Sequence, residues 1–173
     1  MIKIGNNISG FSTYSCQPVS KKELKEIINE RISKEGKHCN LNDIDTSLIE
    51  DMSELFLYSS FIGDVSKWNV SNVTDMHEMF AYSKFNGDIS DWDVSKVKNM
   101  TGMFYCTPSF NCDISTWNIK NVNSMWSMFD RSNFNQNISN WEIDTTNCDI
   151  RGMFHNCLIK DEFIPKSLRK CSR

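Results

Sequence analysis

Ser66, Ser90, Ser115 and Ser139 recur at one fixed place in the chain and are the first candidates for nucleophilic chemistry. A serine nucleophile needs a base within hydrogen-bond reach, and no histidine recurs beside this column. The hydroxyls read instead as a ladder that satisfies backbone groups at a turn. Two residues before each serine stands Asp64, Asp88, Asp113 or Asn137, a row of oxygen ligands of the type that holds calcium. The glycine-rich spacing of a calcium loop is missing, which favours side-chain capping of a turn. Cys148, His155, Cys157 and Cys171 are zinc-type ligands. Their spacing is not that of a standard finger, and Cys157 falls where other units carry Ser83, Thr107 and Ser132. The columns Met76, Met100, Met125 and Met79, Met103, Met128, Met153 read as core filler rather than as a soft-metal site. Catalytic carboxylate pairs, phosphate-cradling loops and nucleophile elbows are absent from the sequence. No catalytic residue, metal ligand or cofactor is assigned.

These columns exist because the chain repeats itself. Trp68, Trp92, Trp117 and Trp141 lie 24, 25 and 24 residues apart, and Phe61, Phe85, Phe110 and Phe134 keep step with them. A fixed period of this length marks stacked units, none of which buries its apolar edge alone. A degenerate first unit places Leu41, Ile44, Ile49, Met52 and Phe56 in the columns of Val65, Trp68, Val73, Met76 and Phe80. The predicted core includes the four repeat tryptophans with Phe85, Phe110, Met100 and Met103. Within a unit, residues 88–94 alternate polar with β-branched or aromatic side chains and predict a short strand. Val97, Met100, Met103 and Phe104 predict a helical or 3₁₀ side.

Ahead of the repeat, Leu24, Ile27, Ile28 and Ile32 form one apolar helical stripe, opened by the Ser20/Glu23 capping box and stopped by Gly36. The expected organisation is a lead and N-terminal capping helix over 1–36, a repeat body over 37–158 and a C-terminal cap over 159–173. The expected fold class is an α/β repeat, a short leucine-rich-like solenoid of 24–25-residue units.

Net charge is −3, but residues 37–160 carry nine basic and sixteen acidic side chains. An acidic body argues against direct nucleic-acid binding. The N-terminus lacks the apolar core of a secretory signal, and no apolar run is long enough to span a membrane. Seven cysteines without a repeated column read as reduced thiols, pointing to an intracellular protein, or to the cell surface if a signal was removed.

The sentence F-N-x-D-I-S-x-W-x-V-S-x-V-x-x-M-x-x-M-F, best kept over residues 85–104, resembles the BspA-like leucine-rich-repeat family, in the form found in Mycoplasma-type surface lipoproteins and carried as a domain of unknown function. The resemblance covers about residues 40–160. It implies a right-handed leucine-rich solenoid and a role in adhesion or other protein binding. The array is shorter than in surface members of that family.

Deviations from the columns point to where a partner binds. Trp126 occupies the column of His77, Thr101 and Arg151, which should face solvent, and an exposed tryptophan makes a good interface anchor. Tyr105, with Tyr58 and Tyr82 in another variable column, joins Trp126 and His77 as the predicted partner-binding set. The resulting expectation is a non-catalytic protein–protein interaction module. Its specific form is an intracellular bacterial or phage inhibitor, or counter-defence protein, that occupies a basic surface of a host nucleoprotein. A surface-adhesin repeat fragment and a zinc-dependent enzyme are the alternatives. A dimer through exposed end strands is a further expectation.

Overall fold

The computed structural model describes residues 14–169. The helix is where the sequence placed it: α1 runs Lys21–Glu35, the Ser20 side chain accepts from the Glu23 backbone N–H, and Gly36 ends it at φ 86°. Leu24 and Ile28 are its fully buried residues, and Ile27 and Ile32 pack partly against the core.

The α/β leucine-rich-like solenoid is corrected. Among the described residues the helical content is α1 and one 3₁₀ turn, Asp161–Phe163, and in place of strands there are isolated parallel bridges. One line of bridges runs Asp51, Asp75, Asn99, Ser124, Asp149; others join Asn40 to Asp64 and Cys16 to Ile44. Extended strands fail to form because aspartates and asparagines fold the backbone back on themselves. At one corner the Asp64, Asp88, Asp113 and Asn137 side chains each accept the N–H two residues on, at 2.9–3.0 Å. At a second, Asn69, Asp93 and Asn118 do the same, and Asp51, Asp75, Asn99, Ser124 and Asp149 do so at a third. Such Asx turns compete with strand ladders for the same donors. The aspartate column is thus a turn cap, as its spacing suggested.

The predicted helical side is also replaced. Bonds from Met79 N–H to Met76 C=O, Ala81 to Glu78 and Ser83 to Phe80 each span three residues, as in a 3₁₀ turn. They cannot propagate into a helix, because Glu78 and Tyr82 have φ of 49° and 54°. The same pair of left-handed positions recurs at Glu54/Tyr58, Gly102/Cys106, Ser127/Arg131 and Gly152/Asn156. Each unit therefore carries a run of linked turns with positive φ at every fourth residue.

Those runs stack. The N–H groups of Met52, Glu54, Phe56 and Tyr58 donate to the carbonyls of Asp75, His77, Met79 and Ala81 in the next unit. The pattern repeats at the next three junctions, giving sixteen such bonds of 2.8–3.0 Å. Inside, Phe56, Phe80, Phe104, Phe129 and Phe154 form one parallel stack with centroids 5.2–5.9 Å apart. Phe85, Phe110 and Phe134 nest against it at 3.7–4.3 Å. Met100, Met103, Phe85 and Phe110 are fully buried, and Trp68, Trp92, Trp117 and Trp141 nearly so. Each indole Nε1 donates to a carbonyl one unit back, from Trp68 to Leu41, Trp92 to Val65, Trp117 to Ile89 and Trp141 to Ile114, at 2.9–3.2 Å. Those carbonyls also accept a local turn N–H, so both lone pairs are used.

Residues 14–20 pair with the first unit, where the Ser15 N–H reaches the Asp43 carbonyl at 2.7 Å. At the other end Ile159, Ile164 and Leu168 are buried, and Ile138 donates to the Phe163 carbonyl. Replacing one indole by a phenyl ring keeps most of the apolar contact but removes a buried hydrogen bond. Trp92→Phe is expected to lower stability by about 1–2 kcal/mol, read as a shift in the urea midpoint with unchanged slope.

Candidate interaction surface

The runs of linked turns form one side of the stack, and every predicted partner-binding residue lies on it. Met and Phe of each run turn inward, which leaves the residues between them facing solvent. Tyr58 is 71% exposed, Trp126 49% and Tyr82 44%. Tyr58 and Tyr82 occupy one column, directly above one another, with rings stacked at 4.7 Å. Tyr105 belongs to the neighbouring column, over Ala81, and meets Tyr82 edge-on at 5.1 Å. A hydrogen bond with Tyr82, and after it burial, pushes the Tyr105 phenol up to about 12. Three rings from three units thus make a continuous aromatic ladder.

The backbone beneath is held against its preference. Tyr58 and Tyr82 sit at φ of 56° and 54°, the left-handed region that costs a bulky L residue about 1–2 kcal/mol. The inter-unit bonds of Tyr58 and Tyr82, at 3.0 and 2.8 Å, hold them there. The same conformation recurs at Cys106, Arg131 and Asn156 in this column, so the repeat imposes it and the two tyrosines bear its cost.

His77 lies on the same side but is engaged. Its Nδ1 is 3.0 Å from Asp75 and its Nε2 3.1 Å from Glu54 of the preceding unit. Burial pulls the imidazole pKa down, but the hydrogen bonds and charges of Asp75 and Glu54 outweigh it and leave the pKa raised. His77 is therefore a clamp between two units, with Glu54 and Asp75 bracketing it. Trp126 has no ring partner among the described residues; its carbonyl accepts from Gly102 at 2.8 Å.

The zinc-type cluster does not come together. Burial pushes the Cys148 thiol up to about 11, Cys157 bonds to Ser132 and the Phe134 carbonyl, and His155 faces Asp130 at 3.1 Å. Cys171 lies outside the described residues. The six described cysteines are free thiols, and no group of three His, Cys, Asp or Glu is placed to hold a metal among the described residues.

What sequence reasoning missed is the left-handed backbone. Its signal was Gly102 and Gly152 sharing a column with Glu54, Glu78 and Ser127. A residue type with no side chain alternating with charged ones marks a backbone requirement.

Comparison with known families fits this repeat. Residues 22–141 match a family described as "Mycoplasma protein of unknown function, DUF285". The chain belongs to the DUF285 family. The match upholds the BspA-like resemblance at the level of the family and takes in α1 and the units as far as Trp141. No curated protein and no solved structure matches this DUF285 chain. The helix spans in this DUF285 chain include none long and apolar enough to cross a membrane, among the described residues.

Two outcomes follow from the geometry. Glu78→Gly relieves a left-handed φ of 49° in a column that already accepts glycine, and is expected to leave stability unchanged or raise it by up to about 1 kcal/mol in thermal unfolding. For His77, a raised folded pKa means a contribution fully present below the ordinary 6.5 and lost as pH rises through the folded value. His77→Gln should therefore lower the urea midpoint most in acid, with the gap to wild type narrowing as pH rises past neutrality.

Proposed function

We propose that the chain is a non-catalytic protein-interaction module that binds a basic protein surface through the Tyr58, Tyr82, Tyr105 and Trp126 side of its stack. The observation that carries this reading is the Tyr58–Tyr82 pair, exposed and stacked on a backbone that disfavours side chains of their size. Tyrosine and tryptophan are the side chains most often found at the energetic centre of an interface, because they bring large area at little rotamer cost.

The partner chemistry follows from what surrounds the rings. Glu54 and Glu78 lie on the same runs, four residues before Tyr58 and Tyr82, and Asp75 stands beside His77. Arginines of a partner suit both parts of this surface, pairing with the carboxylates and lying over the ring faces. The acidic excess of residues 37–160 supports the same choice by steering a basic partner toward the body. A nucleoprotein whose nucleic-acid surface is rich in arginine has this chemistry, and occupying it would make the chain an inhibitor.

The test is capture from a lysate of the source cells or their host, followed by titration of the captured protein. Tyr58→Ala/Tyr82→Ala is expected to weaken binding by about tenfold or more, with the melting transition retained. Affinity should also fall as salt is raised from about 50 to about 300 mM. A partner that binds the double variant as tightly as wild type, or is indifferent to salt, removes this reading.

A further inference from the structure

Asn86, Asn111 and Asn135 directly follow Phe85, Phe110 and Phe134 and stand in one column. The side-chain Oδ1 of each accepts a backbone N–H from the next unit: Asn86 from Asn111 at 2.9 Å, Asn111 from Asn135 at 2.8 Å and Asn135 from Lys160 at 3.0 Å. Among the described residues their Nδ2 groups have no acceptor, and neither do the backbone N–H groups of the residues that follow, Gly87, Cys112 and Gln136. The three rungs thus match in bonding and differ in the residue that comes next.

Asn86 and Gly87 form the one Asn-Gly pair in the sequence. A Cβ at Gly87 would stand 2.7 Å from the Phe85 ring and 3.4 Å from the Gly63 carbonyl oxygen, so the packing favours a bare position here. The same bareness leaves the Gly87 nitrogen unshielded from the Asn86 side chain, whereas a Cβ crowds the corresponding nitrogens of Cys112 and Gln136. Asn86 is exposed and Gly87 partly so, which gives water access to both. Attack of the Gly87 nitrogen on Asn86 Cγ drives negative charge onto Oδ1, the atom to which the Asn111 N–H donates. The amide nitrogen that has to leave is held by no other bond among the described residues.

We propose that Asn86 and Gly87 are a self-modification site, where Asn86 is converted to aspartate and isoaspartate by water, without an enzyme. The Gly87 nitrogen gives its proton to water or hydroxide and bonds to Asn86 Cγ. The Cγ–Nδ2 bond breaks, and ammonia leaves with a proton from solvent, which closes a cyclic imide. Water then adds to one of the two imide carbonyls and breaks its bond to the Gly87 nitrogen, which recovers a proton. Opening at Cγ gives aspartate, and opening at the Asn86 backbone carbonyl gives isoaspartate. The net change is one water taken up and one ammonia released, with nothing oxidised or reduced. Either product adds a negative charge to the acidic body. Aspartate still offers an oxygen to the Asn111 N–H, whereas isoaspartate inserts a methylene into the main chain between residues 86 and 87 and takes its carboxylate out of register with that donor.

The full chain is held folded in mildly alkaline buffer and digested at intervals, and each asparagine is followed by mass spectrometry, with isoaspartate told from aspartate by electron-transfer fragmentation. Asn86 is expected to convert at least about tenfold faster than Asn111 and Asn135, to both acids, and no more slowly than in a free peptide of residues 82–91. Gly87→Ala would press a Cβ on the Phe85 ring, so the second arm is Gln136→Gly, which makes an Asn-Gly pair on another rung of the same ladder. With its melting transition retained, this variant should raise the Asn135 rate to within about threefold of that at Asn86. Conversion of Asn86 no faster than that of Asn111 and Asn135, slower conversion in the folded chain than in the peptide, or an Asn135 rate unmoved by Gln136→Gly would each overturn the proposal.

Discussion

Every feature of this molecule depends on the way alternate backbone N–H groups are shared out between a unit and its neighbour. In the run 76–82, the N–H groups of Met76, Glu78, Phe80 and Tyr82 go to the next unit, while those of Met79 and Ala81 close three-residue turns within their own. Neither set alone makes a stable structure. A turn with one local bond is marginal, and an isolated bridge is weaker still. Together they satisfy nearly every donor in a chain that has almost no regular secondary structure, which a buried backbone requires. The side chains follow from this. Positive φ at every fourth residue aims the Met and Phe positions inward, so the phenylalanines of successive units lie nearly parallel, at interplanar angles of 3–8° along the stack.

The corners obey the same logic by other means. Where the backbone must change direction, an Asp, Asn or Ser side chain accepts the N–H two residues ahead, and the carbonyls that face the core at Leu41, Val65, Ile89 and Ile114 are each taken by an indole. Serine, aspartate and tryptophan thus recur at places where hydrogen bonds hold the turns and join the units. Columns of reactive-looking residues in a repeat have first to be accounted for as backbone partners, and here the Asp64, Asp88 and Asp113 carboxylates are, whereas the Ser90 hydroxyl bonds to the Asp88 side chain.

That distinction also explains what could be read in the sequence. Which residues are buried was legible: the tryptophans, the phenylalanines, Met100 and Met103 all recur at the repeat period, and burial in stacked units needs only that period. The helix was legible because Ser20, Glu23, the isoleucine stripe and Gly36 all agree. The strand and helical sides were not. Alternation over 88–94 and the spacing of Val97, Met100, Met103 and Phe104 satisfy the period-two and near-helical rules by coincidence, because linked turns also alternate inward and outward positions. Only the sign of φ separates the two cases, and sequence reports that through glycine alone, here at two of the ten left-handed positions that follow the Gly36 cap among the described residues. On the candidate surface, Trp126 and the Tyr58/Tyr82 column stood out because they break a pattern. The closeness of Tyr105 to Tyr82 did not, since it depends on a small residue, Ala81, lying beneath the larger ring. The pairing of His77 with Glu54 likewise crosses units and has no local signature.

The sixteen bonds between runs point one way, while those at the adjoining bridges, such as the Thr74 N–H to the Glu50 carbonyl, point back, and the two ends of the stack are treated differently. At the first unit the Lys25 ammonium of α1 donates to the carbonyls of Glu54 and Leu55, and Lys21 bonds to the Ser53 hydroxyl and pairs with the Asp51 carboxylate. Amide donors have no such simple remedy from side chains. A carboxylate can accept from one or two N–H groups, as Asp75 does at a corner, but four donors in a row match only another length of backbone. Among the described residues, the N–H groups of Ile150, Gly152, Phe154 and Asn156 have no such segment against them. The tyrosine ladder and the donor edge are in this sense opposite kinds of surface. One is built from side chains added against the preference of the backbone, and the other from backbone left over when the repeat stops.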